Sequence, residues 1–310
     1  MNIIVYAGSD DAADWLRDLS QALPAAQWRA WQPGDNGPAD YAVVWRPPHA
    51  MLAGRDDLRA VFNLGAGVDA ILAIDAQQPG TLPRNVPLVR IEDGGMARQM
   101  AEYAMHAVLR YLRRFDEYAL LQAEGNWTVL EPHPLASFTV GVLGLGTHVA
   151  QQVATLGVPV RGYSRSARRI DGVTTYAGEA QLDAFLDGVK VLINLLPYTP
   201  DTHDVLNAPL FAKLARGAYV INLARGRHLV DDDLLAALAS GQLAGAMLDV
   251  FREEPLDRAH PFWRHPRITI TPHASALTLR AEAVEQIVQK IGALERGEPI
   301  GGIVDRARGY

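Results

Sequence analysis

Cysteine is absent from all 310 residues. That excludes disulfides, thiolate nucleophiles and cysteine-ligated metal sites, and leaves any chemistry to histidine, arginine, carboxylates or a cofactor. Long apolar runs are also missing: although 49% of the chain is hydrophobic, no stretch approaches the roughly 20 apolar residues of a membrane span. The opening MNIIVYAGSDDAADWL carries neither a basic leader nor a small-residue cleavage site, so a cytoplasmic location is expected. Basic residues are outnumbered, with a net charge of -6. Nucleic acid, whose phosphates need a broad basic face, is therefore not an expected partner, and no membrane partner is expected either. No His, Asp and Glu spacing suggests a metal site. No internal repeat or low-complexity tract appears.

What is present is a β-α alternation long enough for two domains. NIIVYA reads as a strand, followed by a helix for which Asp10 or Asp11 is the expected N-cap. ADYAVVW and AVFNLG are further apolar runs of strand length. Met96 to Glu124 reads as one or two long helices closed by Gly125. A second series then starts at FTVGVLGLG and runs to RITITPH, its helices closed by Gly157, Gly188, Gly217 and Gly241. Such alternation builds a doubly wound parallel sheet covered by helices. The final helix, RAEAVEQIVQKIGALERGEP, and its tail are too short for a domain of their own and are expected to pack back on the first, making it discontinuous.

Gly144 and Gly146 in GVLGLGTHVAQQVA lie directly between a strand and a helix, the setting in which glycines let a backbone approach a pyrophosphate. Leu145 shares the turn, and Thr147 can add a hydroxyl. The third glycine of a dinucleotide fingerprint is missing; Val149 holds that place. At the end of the next strand, YSRSARR stands where an NAD-binding fold usually carries a carboxylate for the ribose hydroxyls. Ser164 and Ser166 offer hydroxyls, and Arg165 and Arg168 offer guanidinium forks that match a 2′-phosphate. NADP(H) is therefore the expected cofactor, with NAD(H) as the alternative.

Three polar groups fall at the ends of later strands: Arg225 in NLARG, the carboxylates Asp249, Glu253 and Glu254 in LDVFREEPL, and His273 in TPH. Strand ends of open α/β sheets face the ligand crevice, so the set combines an anion binder, a carboxylate and a proton carrier. His133, His148 and His260 lack such partners in the sequence and read as surface or turn residues. Asp231 reads as the N-cap of the helix after Arg225.

With these segments in hand, the chain resembles the D-isomer-specific 2-hydroxyacid dehydrogenases through GVLGLG, NLARG, LDVFREEPL and TPH, in that order, and through NLGAGVD in the first half. VLINLLPYTPDT, DDLLAALASGQLAGAMLDVF and VDRARGY are similar to the branch that reduces glyoxylate and hydroxypyruvate. The resemblance implies a Rossmann-type dinucleotide domain over 99–275. It also implies a smaller, flavodoxin-like substrate domain from 1–98 with 276–310, and a cleft between the two. It implies that Arg225 binds a small 2-oxo acid, that His273 donates the proton and that Glu254 pairs with His273. Asp249 would hold the nicotinamide carboxamide. Leu196, Pro197 and Thr202 would line the adenosine side, with Leu223 and Ala224 beside the cofactor. The backbone of Ala66 and Gly67 would take the substrate carboxylate. Trp45 and Arg46 would stand at the cleft mouth, the alternative being a buried Trp beside a solvated Arg. A homodimer is the expected assembly. Two other readings stand beside this one: a nicotinamide-sensing binding protein of the corepressor kind, and a phosphoglycerate dehydrogenase, disfavoured because no C-terminal regulatory segment follows Tyr310.

Overall fold

Parallel strands followed by helices recur twice along the chain in a computed structural model that describes residues 1–8, 11–144 and 146–310. Ser9, Asp10 and Leu145 lie outside the described residues, so Asp10 as a cap and Leu145 as a cofactor contact are not described. The chain divides by contacts into one unit of Met1–Met96 with Leu277–Tyr310, and a second of Ala97–Ala276.

The first unit begins with β1 (Asn2–Tyr6), α1 (Ala12–Ala22), β2 (Gln27–Ala30) and β3 (Tyr41–Val44). It continues through α2 (His49–Leu52), β4 (Ala60–Asn63), α3 (Asp69–Gln77) and β5 (Leu88–Val89). The order β2-β1-β3-β4-β5, all parallel, is the flavodoxin-like arrangement. Alternate residues of each strand feed opposite faces. Ile3, Val5, Val43 and Phe62 face one core with Trp15 and Leu19 of α1, while Ile4, Val44 and Val61 face the other with Met51 and Leu52.

The second unit holds most of α4 (Met96–Leu112), then α5 (Phe115–Ala123), β6 (Val140–Leu143), α6 (Thr147–Ala154), β7 (Val160–Ser164) and β8 (Thr174–Ala177). After these come α7 (Leu182–Leu186), β9 (Val191–Asn194), α8 (Ala208–Lys213) and β10 (Ala218–Asn222). α9 (Asp231–Ala239), β11 (Leu243–Leu248) and β12 (Ile268–Ile270) complete it. The sheet order β12-β11-β10-β9-β6-β7-β8 is that of a Rossmann fold, with its switch point between β6 and β9. The last helix, α10 (Arg280–Glu295), returns to the first unit, where Ala283, Ile287 and Ile291 join the core that α1 covers.

Register gives the second sheet one decisive row. Tyr163, Leu143, Asn194, Asn222, Leu248 and Ile270 are successive partners across β7, β6, β9, β10, β11 and β12. Each loop named in the sequence analysis for this unit leaves the sheet just past that row.

Asp11, one of the two expected residues, is the N-cap of α1, without a side-chain capping bond. Other local expectations are corrected. Asp231 is the first helical residue rather than the cap; Val230 is the cap, and the Asp231 carboxylate instead faces His260 at 3.4 Å. His260 is therefore a partnered, half-buried group, not a surface one. His133 packs at a tilt against Tyr111 and Phe138, and burial pushes its pKa down. The reach from Met96 to Glu124 is two helices because Arg114, between them, adopts φ +60.

Candidate active site

Gly144 begins the loop after β6 with φ +95, and a Cβ on it would come within 2.8 Å of the Leu195 and Leu196 backbone. A side chain on Gly146 would collide with Leu195. Both glycine positions are thus crowded for a side chain, which leaves their backbone for an anionic ligand at the start of α6, where Thr147 is the first helical residue. Val149 is buried in the core with Val142 and Val153. These features fit a dinucleotide pyrophosphate.

Past β7, Arg165, Ser166 and Arg168 are exposed. Ser164 differs from expectation: its hydroxyl turns inward and donates to the Ser166 carbonyl at 2.7 Å, so it shapes the loop instead of facing solvent. Past β9, Leu196 is half-buried and Pro197 exposed. Thr202 closes that loop by donating to the Pro197 carbonyl at 2.8 Å, inside a capping box with Thr199.

Past β10, Leu223 and Ala224 are buried and Arg225 is half-buried. Gly226 packs so closely on Phe251 that any Cβ would overlap its backbone, which seats the Arg225 loop against the turn carrying Glu254. Glu254 spends one oxygen on its own turn, accepting from the Phe251 amide at 3.0 Å. The other accepts from His273 Nδ1 at 2.7 Å. Burial alone would push the Glu254 carboxyl up. The His273 hydrogen bond, the Phe251 amide, and the charges of His273 and Arg225 outweigh it and hold the carboxyl below the usual range. Glu253 is exposed nearby.

His273 adopts φ +53, a left-handed backbone that a β-carbon disfavours. Asp249 holds it there. This fully buried carboxylate accepts from Thr271 Oγ1 at 2.5 Å, the Ala274 amide at 2.8 Å and the Ser275 amide at 2.9 Å, while its own carbonyl accepts from the His273 amide at 2.8 Å. The carboxylate expected at the nicotinamide is here the anchor of the His273 loop. Tyr103 joins the same cluster through Thr271 at 2.6 Å, and burial pushes its phenol up to about 12.

In the first unit, Trp45 lies against Gly65, whose Cβ would be 2.7 Å from the indole, and Arg46 sits over the Trp45 ring with φ +47. Trp45 is partly exposed, not buried. The Asn63 amide donates to the carbonyls of Gly65 and Gly67 at 2.8 and 2.9 Å. Among the described residues, the amides of Ala66 and Gly67 donate to no group. No cluster of three or more potential metal ligands is found among the described residues, nor a helix long and apolar enough to cross a membrane.

Sequence reasoning missed Asn63, Asn194, Asn222 and His228. The signal was there: three apolar strand runs, AVFN, VLIN and AYVIN, each end in asparagine, a residue depleted from strands.

Comparison with known proteins fits this geometry. Residues 105–275 match the D-isomer specific 2-hydroxyacid dehydrogenase family, NAD binding domain. A glyoxylate/hydroxypyruvate reductase A from Serratia proteamaculans is 61% identical, with 100% of both chains covered. The chain belongs to the D-isomer specific 2-hydroxyacid dehydrogenases. Among solved members of that family, one from Xanthobacter autotrophicus Py2, in complex with NADPH and MES, superposes with a TM-score of 0.92 at 39% identity, covering 100% of this chain and 99% of the other. An NADPH-dependent glyoxylate/hydroxypyruvate reductase from Sinorhizobium meliloti, with NADP and sulfate, gives 0.90 at 36% identity over the same shares. The dehydrogenase family thus supplies the context for the paired His273 and Glu254.

Proposed function

We propose that the protein reduces a small 2-oxo acid, glyoxylate or hydroxypyruvate, to the 2-hydroxy acid with NADPH. The observation that carries this reading is the 2.7 Å pair of His273 and Glu254, set beside an arginine whose charge acts on the same carboxylate. Because Nδ1 of His273 is committed to Glu254, Nε2 is the nitrogen left to deliver a proton to the forming alkoxide. Arg225 holds the substrate carboxylate and stabilises the developing oxyanion, so it contributes more in the transition state than in the ground state. Within the first unit, the amides of Ala66 and Gly67 are donors suited to a carboxylate, and Trp45 packs on Gly65 of the same turn. Arg165, Ser166 and Arg168 receive the 2′-phosphate, and Gly144, Gly146 and Thr147 the pyrophosphate. Leu196, Pro197, Leu223 and Ala224 give the cofactor its apolar walls. When bound, the reduced nicotinamide supplies the hydride. Relatives named as glyoxylate/hydroxypyruvate reductases support the choice of substrate.

The active form we infer is a homodimer in the cytoplasm, where a pool of reduced nicotinamide cofactor is available. Trp127 and Val129 are 99% and 87% exposed, and Phe115, Leu120 and Leu135 are exposed close by in sequence. Such apolar surface supports contact with a second copy. The test is steady-state turnover of glyoxylate, hydroxypyruvate, pyruvate and 3-phosphohydroxypyruvate with each cofactor, with molar mass read by light scattering. Turnover greatest for the first two with NADPH is the expected result. Cofactor binding without turnover would instead favour a nicotinamide-sensing protein.

A further inference from the structure

Asn194 and Asn222 are register partners at the ends of β9 and β10, and both are 0% exposed. A buried amide side chain is costly unless every polar atom is matched. Parallel strands at this depth normally carry Val, Ile or Leu, as Leu143, Leu248 and Ile270 do in the same row. The two asparagines are matched almost completely, and by functional loops.

Asn194 Oδ1 accepts from the Leu196 amide at 3.2 Å, and its Nδ2 donates to Asn222 Oδ1 at 3.0 Å and to His228 Nδ1 at 2.9 Å. Asn222 Oδ1 also accepts from the Ala224 amide at 3.3 Å, and its Nδ2 donates to the Arg225 carbonyl at 3.1 Å. His228, likewise 0% exposed, accepts at Nδ1, because the Asn194 amide nitrogen can only donate. Hydrogen bonds therefore run from the backbone of Leu196 to the backbone of Arg225 through side chains alone.

We propose that Asn194, Asn222 and His228 form a positioning relay that fixes the Arg225 loop relative to the loop at Leu196. None of the three touches the substrate; they act by holding Arg225 where its fork can meet a 2-oxo carboxylate. The inference rests on the reductase reading above. A relay of this kind explains why amides occupy strand positions that apolar residues would fill at lower cost: a misplacement of even about 1 Å at a positioning group lowers rates by about 100-fold.

The experiment uses the full chain. Asn222→Asp keeps an oxygen for Asn194 and Ala224 and replaces the donor to the Arg225 carbonyl with a second oxygen. His228→Phe keeps the ring and loses the acceptor, and His228→Gln returns an acceptor. The readouts are kcat and KM for glyoxylate, the Kd of NADPH by fluorescence, the Kd of oxalate in the presence of NADPH by calorimetry, and the thermal midpoint. We expect Asn222→Asp to raise the glyoxylate KM and the oxalate Kd by about 10- to 100-fold, with NADPH Kd within about threefold of wild type. His228→Phe should move in the same direction and His228→Gln should recover part of the loss. Unchanged oxalate binding in folded Asn222→Asp, or His228→Phe and His228→Gln that behave alike, overturns the relay. If Asn222→Asp does not fold, the His228 pair decides alone. A wild type that binds NADPH and oxalate but never reduces glyoxylate overturns the reductase reading, and the oxalate Kd values still judge the relay. A wild type that binds neither overturns both.

Discussion

Glu254 and His273 come from different loops, one after β11 and one after β12, and meet at 2.7 Å between Oε2 and Nδ1. Neither position is free to drift. Glu254 is braced by the Phe251 amide, and His273 by a backbone bond to Asp249. The pair presents one imidazole nitrogen in a fixed orientation, the requirement for a general acid.

Replacing His273 with Ala should therefore lower kcat for glyoxylate reduction by ~10²–10⁴, the usual worth of a positioned general acid, and leave NADPH binding nearly intact. Stopped-flow single turnovers with fluorescence titration of NADPH separate the two. A near-normal rate removes His273 from the mechanism.

Glu254 carries a pH signature whose sign follows from its environment. Its carboxyl is held below its ordinary value of 4.5 in the folded protein. Its contribution is then fully present above that value and is lost as pH falls through the lowered one. The thermal midpoint of wild type minus that of Glu254→Gln should shrink as the buffer is taken below pH 4.5. A difference that grows as pH falls below that value contradicts the assignment.

Arg225→Lys keeps the charge but loses a planar fork able to engage carboxylate and carbonyl together. kcat/KM for the oxo acid should fall by about 10- to 100-fold, while NADPH affinity is unchanged. Equal activity would make Arg225 a loop cation only.

Gly144→Ala places a Cβ against the Leu195 and Leu196 backbone at a positive φ. Strain of this kind costs about 1–3 kcal/mol. The variant should melt several degrees lower, and its NADPH Kd should rise, as read by differential scanning and by fluorescence. An unaltered Kd would show that the turn does not approach the nucleotide.

Much of this was legible in the sequence because periodicity and turn chemistry are local. The β-α alternation, the Gly144 turn, and Arg225, Glu254 and His273 at strand ends can all be read from segments of about ten residues. What escaped depends on partners distant in sequence. β2 and β8 carry little apolar signal because they are edge strands with exposed or half-buried faces. Asp249 reads as a rim carboxylate until Thr271, Ala274 and Ser275 are seen to enclose it. His228 and the asparagine pair gain meaning only when the register brings β9 beside β10.

The most direct measurement of the central claim is kcat/KM for NADPH and for NADH with glyoxylate, in wild type and in Arg165→Ala, at two salt concentrations. Wild type should favour NADPH, and the substitution should cost NADPH about 10- to 10³-fold, the worth of one or two charge-assisted bonds, while leaving NADH nearly unaffected. Raising salt should narrow the wild-type preference, because a partly exposed phosphate contact is screened. A wild type that prefers NADH, or a substitution that affects both cofactors equally, would contradict NADPH-dependent reduction by this protein.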